Sequence, residues 1–196
     1  MVVLLLLSAE KNYRIICFIL ERKRFKQAMI YRNAGVSKTR ANVVVQWLEK
    51  KGYVNRVKDG YELVSPASLV NLLSNDVEAE TLSFEVDVDK KKLLSWLKKK
   101  KAVFCTGSAL QFYSSYFRDP SINVYFKKEF AAEFKSSRKG LTRLNLFKSN
   151  LPLLKSNVVK EKGFNLTSKI RTAIDLFVDK KAYAAEPLLK DLVESG

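Results

Sequence analysis

The stretch from Ser37 to Lys50 concentrates hydrogen-bonding chemistry. Ser37, Lys38, Thr39, Arg40, Asn42 and Gln46 bring two hydroxyls, two cations and two side-chain amides close together in the chain. At about 100° per residue, Ala41, Val44, Val45 and Leu48 fall at i, i+3, i+4 and i+7 and form an apolar stripe. Thr39, Asn42, Val43, Gln46 and Lys50 then face the other way, with Arg40 and Trp47 on the flank. A merely solvated helix is usually laced with Glu/Lys pairs, and this face is not. Its residue types suit a major groove: Arg for guanine edges, Asn and Gln for adenine, and Val43 or a Thr methyl for the thymine methyl. The competing reading is a solvated basic face. Trp47 is expected to pack under the hairpin that follows.

Other chemistry is excluded by composition. The 196 residues contain no histidine, which removes Ser-His-Asp and Cys-His nucleophile pairs and His-ligated metals. Catalysis would have to rest on carboxylates, lysines, tyrosines or a bound metal. Cys17 and Cys105 lie 88 positions apart in apolar surroundings, and neither belongs to a CxxC pair. They read as buried, inert thiols in a reducing compartment. No cofactor is implied.

The net charge is +16, from 36 Lys+Arg against 20 Asp+Glu. Residues 1–75 hold 13 basic and 5 acidic groups and residues 76–196 hold 23 and 15, so each part carries +8. An even excess favours a polyanionic partner, nucleic acid first, because each neutralised phosphate releases counterions. A lysine-rich solubility surface is the alternative. The apolar run Met1–Leu7 is too short and lacks the basic start of a signal peptide. It reads as a buried strand, the start of the first helix or a dimer contact. Nothing approaches the length of a membrane span, and the expected location is cytoplasmic.

The elements that position the polar face follow from period and punctuation. Helices are predicted over Ser8–Arg22, Phe25–Ala34 (Phe25, Ala28, Met29 and Arg32 on one face) and from Ser37, as N-cap, to Lys51. Gly35 is placed for a left-handed helix terminus. Strands over Gly52–Val57 and Tyr61–Val64 flank a turn at Lys58–Gly60. Val36–Val64 resembles the recognition helix and wing of prokaryotic winged-helix transcription factors, and Leu48–Val54 (LEKKGYV) resembles their join. That resemblance implies DNA binding, with helix three in the major groove. Ser37, Lys38, Thr39, Arg40, Asn42 and Gln46 are then the candidate contacts, with Arg40, Asn42 and Gln46 reading bases. Lys26, Tyr31, Arg32, Arg56 and Lys58 would hold phosphates.

A short helix is predicted over Ala67–Leu73, and the acidic stretch Ser74–Thr81 marks the best boundary. Beyond it strands (Leu82–Val88, Ala102–Thr106, Ile122–Phe126, Leu141–Phe147, Val158–Lys162) alternate with helices. The helices are one capped by Asp89, then Ala109–Phe117, Glu129–Ser137, Ser168–Asp179 and Ala184–Glu194. This is an α/β or α+β pattern. The helix after Asp89 buries Leu93, Leu94, Trp96 and Leu97 and shows seven lysines, either a phosphate rail or a solvated face.

The strand ending in Gly107-Ser108, followed by a helix and a strand, resembles the start of the nucleotidyltransferase fold. That family's two metal-binding carboxylates then fall on Ser121 and Asn123, which are neutral, and Asp119 lies two residues early and before Pro120. Neutral oxygens do not replace anionic ligands for Mg²⁺. The combination resembles the AbiEi antitoxin family, the regulators of type IV toxin–antitoxin pairs. Thr106–Leu110 and Leu166–Leu176 carry the further likeness, which puts Arg171, Thr172 and Asp175 at motif positions. Arg171 and Asp175 read either as an i,i+4 ion pair or as a ligand or partner site. Gly107-Ser108 reads either as an anion site at a helix N-terminus or as a tight join.

The expectation is therefore an α+β chain: a winged helix-turn-helix over 1–75 and a nucleotidyltransferase-like domain over 76–196. It would be a non-enzymatic, sequence-specific regulator of double-stranded DNA, an autorepressor with a cognate toxin, and a candidate homodimer. The alternatives are an active nucleotidyltransferase and an RNA-binding protein.

Overall fold

The computed structural model describes residues 6–115, 117–134 and 141–194. Most of the Met1–Leu7 run, and residues 135–137 of the expected helix Glu129–Ser137, lie outside them. The chain is mixed α+β and divides into two units, Met1–Val77 with Glu186–Gly196, and Glu78–Ala185.

The first unit runs α1 (Glu10–Leu20), β1 (Arg24–Phe25), α2 (Gln27–Asn33), α3 (Lys38–Lys50), β2 (Val54–Val57), β3 (Gly60–Leu63) and α4 (Pro66–Ser74). Its sheet is antiparallel in the order β1-β3-β2. The stripe Ala41, Val44, Val45 and Leu48 is fully buried. Ser37 is the N-cap, its Oγ accepting from Arg40 N at 3.2 Å. Gly35, at φ +62°, supplies the left-handed residue after α2 that a side chain would strain. The Val57↔Gly60 register leaves Lys58-Asp59 as a two-residue turn.

Helix two is shorter than its sequence predicts. Phe25 pairs with Tyr61 in β1–β3 and stacks on its ring at 5.8 Å. The buried anchor of α2 is Ile30, not a face through Phe25, Met29 and Arg32. A two-residue strand is too brief to show a period, so the helical pattern runs through it. The final helix, α9 (Glu186–Glu194), belongs to this first unit, where it meets α4. A single cut between residues 75 and 76 therefore does not describe the division.

The second unit contains β4 (Ala79–Val86), α5 (Lys90–Lys99), β5 (Val103–Phe104), α6 (Thr106–Tyr113), β6 (Ile122–Tyr125), α7 (Lys128–Glu133), β7 (Thr142–Ser149), β8 (Val158–Glu161), β9 (Phe164–Thr167) and α8 (Lys169–Val178). Short 3₁₀ turns lie at Lys155–Asn157 and Ala182–Ala185. The six strands form one mixed sheet, β4-β7-β6-β5-β9-β8. Leu93, Leu97, Phe104, Ile122, Val124, Phe130, Leu144, Leu146 and Leu166 share its core.

Three boundaries move. The acidic stretch before Leu82 enters β4, because Ala79 to Val86 pair throughout with β7. The expected strand Val158–Lys162 is half of a hairpin closed at Lys162-Gly163. Helix α6 starts at Thr106, ahead of Gly107-Ser108.

Candidate functional site

Two polar constellations emerge, and each is described within its own unit. On α3, Ser37, Lys38, Thr39, Gln46 and Lys50 are exposed, and Val43 is 41% exposed. The outward polar face is therefore present. Two of its three expected base readers, however, turn toward their own unit. Arg40 is half-buried, and its Nε donates to Asn12 Oδ1 at 2.7 Å. Asn12 is buried on α1, and its Nδ2 donates to the Leu6 carbonyl at 2.7 Å. Asn42 is half-buried, and its Oδ1 accepts from Gln27 Nε2 of α2 at 2.9 Å. Gln27 also donates to the Tyr61 hydroxyl at 3.3 Å, which ties α2, α3 and β3 together. These bonds fix the pitch of α3, and they leave Gln46, Lys38, Thr39 and Val43 as its outward set.

The expected phosphate holders are spread around that face. Lys26, Arg32, Arg56 and Lys58 are exposed and Tyr31 is half-buried. Lys26 stands at the N-cap of α2, and Lys58 stands in the β2–β3 turn. Both edge one cleft of about 320 Å³ floored by Phe25 and Tyr61. Arg24 lines it too, paired to Glu62 at 3.3 Å. Sequence reasoning missed Arg24 because it read the segment as a helix end. Trp47 is half-buried.

The second constellation lies on the face of β6 opposite the apolar core. Strand alternation sends Ile122 and Val124 inward and Ser121, Asn123 and Tyr125 to the other side. There the Asp119 carboxylate, 6% exposed, accepts from Ser121 N at 3.0 Å, from Ser121 Oγ at 2.5 Å and from Asn123 Nδ2 at 3.0 Å. Lys181 Nζ reaches it at 3.4 Å. Ser108 Oγ accepts from Asn123 N at 2.8 Å. Asn145, between two leucines of β7, donates to Ser121 Oγ at 3.1 Å and to Asn123 Oδ1 at 2.9 Å. The sequence signal for Asn145 is a polar residue inside an apolar strand.

Burial pushes the Asp119 carboxyl up, but the two bonds from Ser121, the Lys181 charge and the Asn123 amide outweigh it. The net result is a carboxyl below the usual range. A Cβ at Gly107 would collide with this carboxylate. The glycine is thus required by the close approach of Asp119, so at the turn that reads either as an anion site or as a tight join the chain's own carboxylate stands close by. An open groove of about 440 Å³ runs past Asp119, edged by Lys90, Gln111, Phe117 and Arg118.

Arg171 and Asp175 form a separate, closed pair at 2.9 Å, 0% and 1% exposed. Arg171 Nε also donates to the Tyr125 hydroxyl at 2.8 Å. Its terminal nitrogens donate to the Pro152 and Leu151 carbonyls and to Ser149 Oγ. Tyr125 donates to Asp175 at 2.8 Å. This is the structural reading of the motif: the guanidinium ties α8 to β6, to the end of β7 and to the residues after it, with no outward side for a ligand. Burial pushes the Tyr125 phenol and the neighbouring Cys105 thiol well above their ordinary values, so both stay protonated. Cys17 and Cys105 are buried and unlinked.

Among the described residues no group of three or more His, Cys, Asp or Glu could hold a metal. No helix among them is long and apolar enough to cross a membrane. Comparisons with protein-family models, with curated proteins and with solved structures gave no match.

Proposed function

We propose that this chain is a sequence-specific, double-stranded-DNA-binding regulator of the autorepressor type, in which α3 reads the major groove and the β2–β3 turn holds the backbone. The observation that carries this reading is the outward face of α3, whose exposed side chains (Lys38, Thr39, Val43, Gln46) are the types that contact base edges and phosphates. The element order α1-β1-α2-α3-β2-β3 with sheet order β1-β3-β2 supports a winged helix-turn-helix. Lys26 and Lys58 on one cleft support a backbone clamp beside it.

The second unit is read as a nucleotidyltransferase-like scaffold without catalysis. Ser121 and Asn123 are neutral, and the nearby carboxylate of Asp119 is occupied by Ser121, Asn123 and Lys181. An anionic pair for two-metal phosphoryl transfer is therefore lacking in the residue types themselves. Countering a cognate toxin remains the role that the antitoxin resemblance suggests for this unit, and homodimerisation accompanies the regulator reading.

The test is an electrophoretic shift on the DNA upstream of the chain's own gene, against a scrambled duplex, at several salt concentrations. Preference for the upstream DNA is the expected result. Equal binding to both duplexes, or transfer of label from an NTP in the presence of Mg²⁺, overturns the reading.

A further inference from the structure

The division into units redistributes the charge. Residues 78–185 hold 22 basic and 11 acidic side chains, a net +11 of the total +16. Several of these lysines stand where folding alone disfavours them. Lys90, Lys91 and Lys92 fill the first turn of α5, the positive end of the helix dipole. Asp89 caps this turn, its Oδ1 accepting from Lys91 N at 2.9 Å and from Lys92 N at 3.4 Å, and Lys90 Nζ donates to the Pro120 carbonyl at 3.3 Å.

At the other end of α5, Lys101 holds a left-handed backbone at φ +52°. Lys162 does the same at φ +49°, in the two-residue turn it shares with Gly163. Such positions favour Gly or Asn, and an L side chain there is strained. The two sites are joined through Lys98, whose Nζ donates to the Lys162 carbonyl at 3.2 Å and lies 4.7 Å from the Phe164 ring centroid.

The outer face of α5 thus presents Lys91, Lys92, Lys98 and Lys99 and continues into Lys101 and Lys162, all exposed. Among the described residues, Lys100 pairs with Glu133 at 3.3 Å, and no ion pair is formed by Lys91, Lys92, Lys99, Lys101 or Lys162. Uncompensated cations along one ridge, kept at positions that cost folding free energy, need a reason outside the fold.

We propose that this lysine ridge binds the phosphodiester backbone of nucleic acid without reading its sequence, and does so independently of the α3 face. Lysine is a point charge suited to phosphate, and apart from Ser95 the outer face of α5 offers only lysines, with no amide or guanidinium fork to read a base edge in two bonds. A membrane surface fits less well. Interfacial binding adds an exposed apolar anchor, and no large apolar side chain is exposed on α5 or in the β8–β9 turn.

The test uses the full chain with Lys101→Gly and Lys162→Gly combined. Glycine relieves both left-handed backbones, so the thermal midpoint should hold or rise, and a folding defect cannot mimic the result. Binding is measured by anisotropy over a salt series with a scrambled duplex and with a single-stranded RNA of the same length. A fall of about 2 in the log–log salt slope, with weaker binding, is expected on the polymer that is bound. The two arms tell a DNA backbone from an RNA backbone. Unchanged slopes on both polymers overturn the proposal. So does loss of binding to phosphatidylserine vesicles with nucleic-acid binding intact, which assigns the ridge to membranes. Because the duplex is scrambled, a failure of operator recognition by α3 leaves this result unaffected.

Discussion

The two polar constellations are built from similar residues and differ in where their hydrogen bonds go. On α3, Lys38, Thr39 and Gln46 point outward, while Asn42 and Arg40 are drawn in by Gln27 and Asn12. Around β6, Ser108, Asp119, Ser121, Asn123 and Asn145 satisfy one another. A buried polar group must find a partner or carry its full desolvation cost. The inner network therefore specifies how strands and helices meet, and the outer face is what remains exposed. Residue type alone does not separate these roles.

The largest effect is expected at the closed Arg171–Asp175 pair. Arg171→Ala strands the Asp175 carboxylate in the core, and removing one partner of a buried pair costs about 3–5 kcal/mol. Chemical denaturation should show that loss, with DNA affinity unchanged wherever the variant is folded. A loss within error of zero would mean that the pair does not tie α8 to β6.

Asp119→Asn should cost about 1–3 kcal/mol at neutral pH, since charge-assisted bonds from Ser121, Asn123 and Lys181 are weakened. The sign with pH follows from the lowered carboxyl. Its contribution is complete above the ordinary carboxylate range and disappears as pH falls through the folded-state value. Stability curves of wild type and variant should therefore converge in acid.

At the open end the effects are on binding. Gln46→Ala should relax discrimination at one base pair, worth about 1–3 kcal/mol in a competition with substituted operators. Arg40→Ala, by contrast, should lower the melting temperature through its lost bond to Asn12. An Arg40 effect confined to one base would reverse this assignment. The smallest effect is expected from Lys58→Ala, a sequence-independent weakening with a salt slope reduced by about 1.

Much of the first unit was legible in advance. The α3 stripe, its Ser37 cap, the left-handed Gly35 and the Lys58-Asp59 turn all follow from local period and punctuation. β1 was not legible, because its two residues have no period and acquire their conformation from β3. In the second unit the neutral side chains of Ser121 and Asn123 were visible as letters. The placement of Asp119 against Gly107 was not, since it depends on how the chain enters β6. Asn145 is legible as a polar residue inside an apolar strand, but its partners Ser121 and Asn123 are not, because they lie across strands at a sequence distance no spacing rule reaches.

The total charge of +16, the absence of imidazole chemistry and the period of most helices and strands are properties of the linear chain. These are sums or short-range patterns. Tertiary structure alone decided that α9 joins the first unit and that the charge divides as +5 and +11 rather than evenly. It also decided which polar side chains turn inward. Those outcomes depend on partners distant in the chain, and a side chain's role is set by the partner that satisfies it.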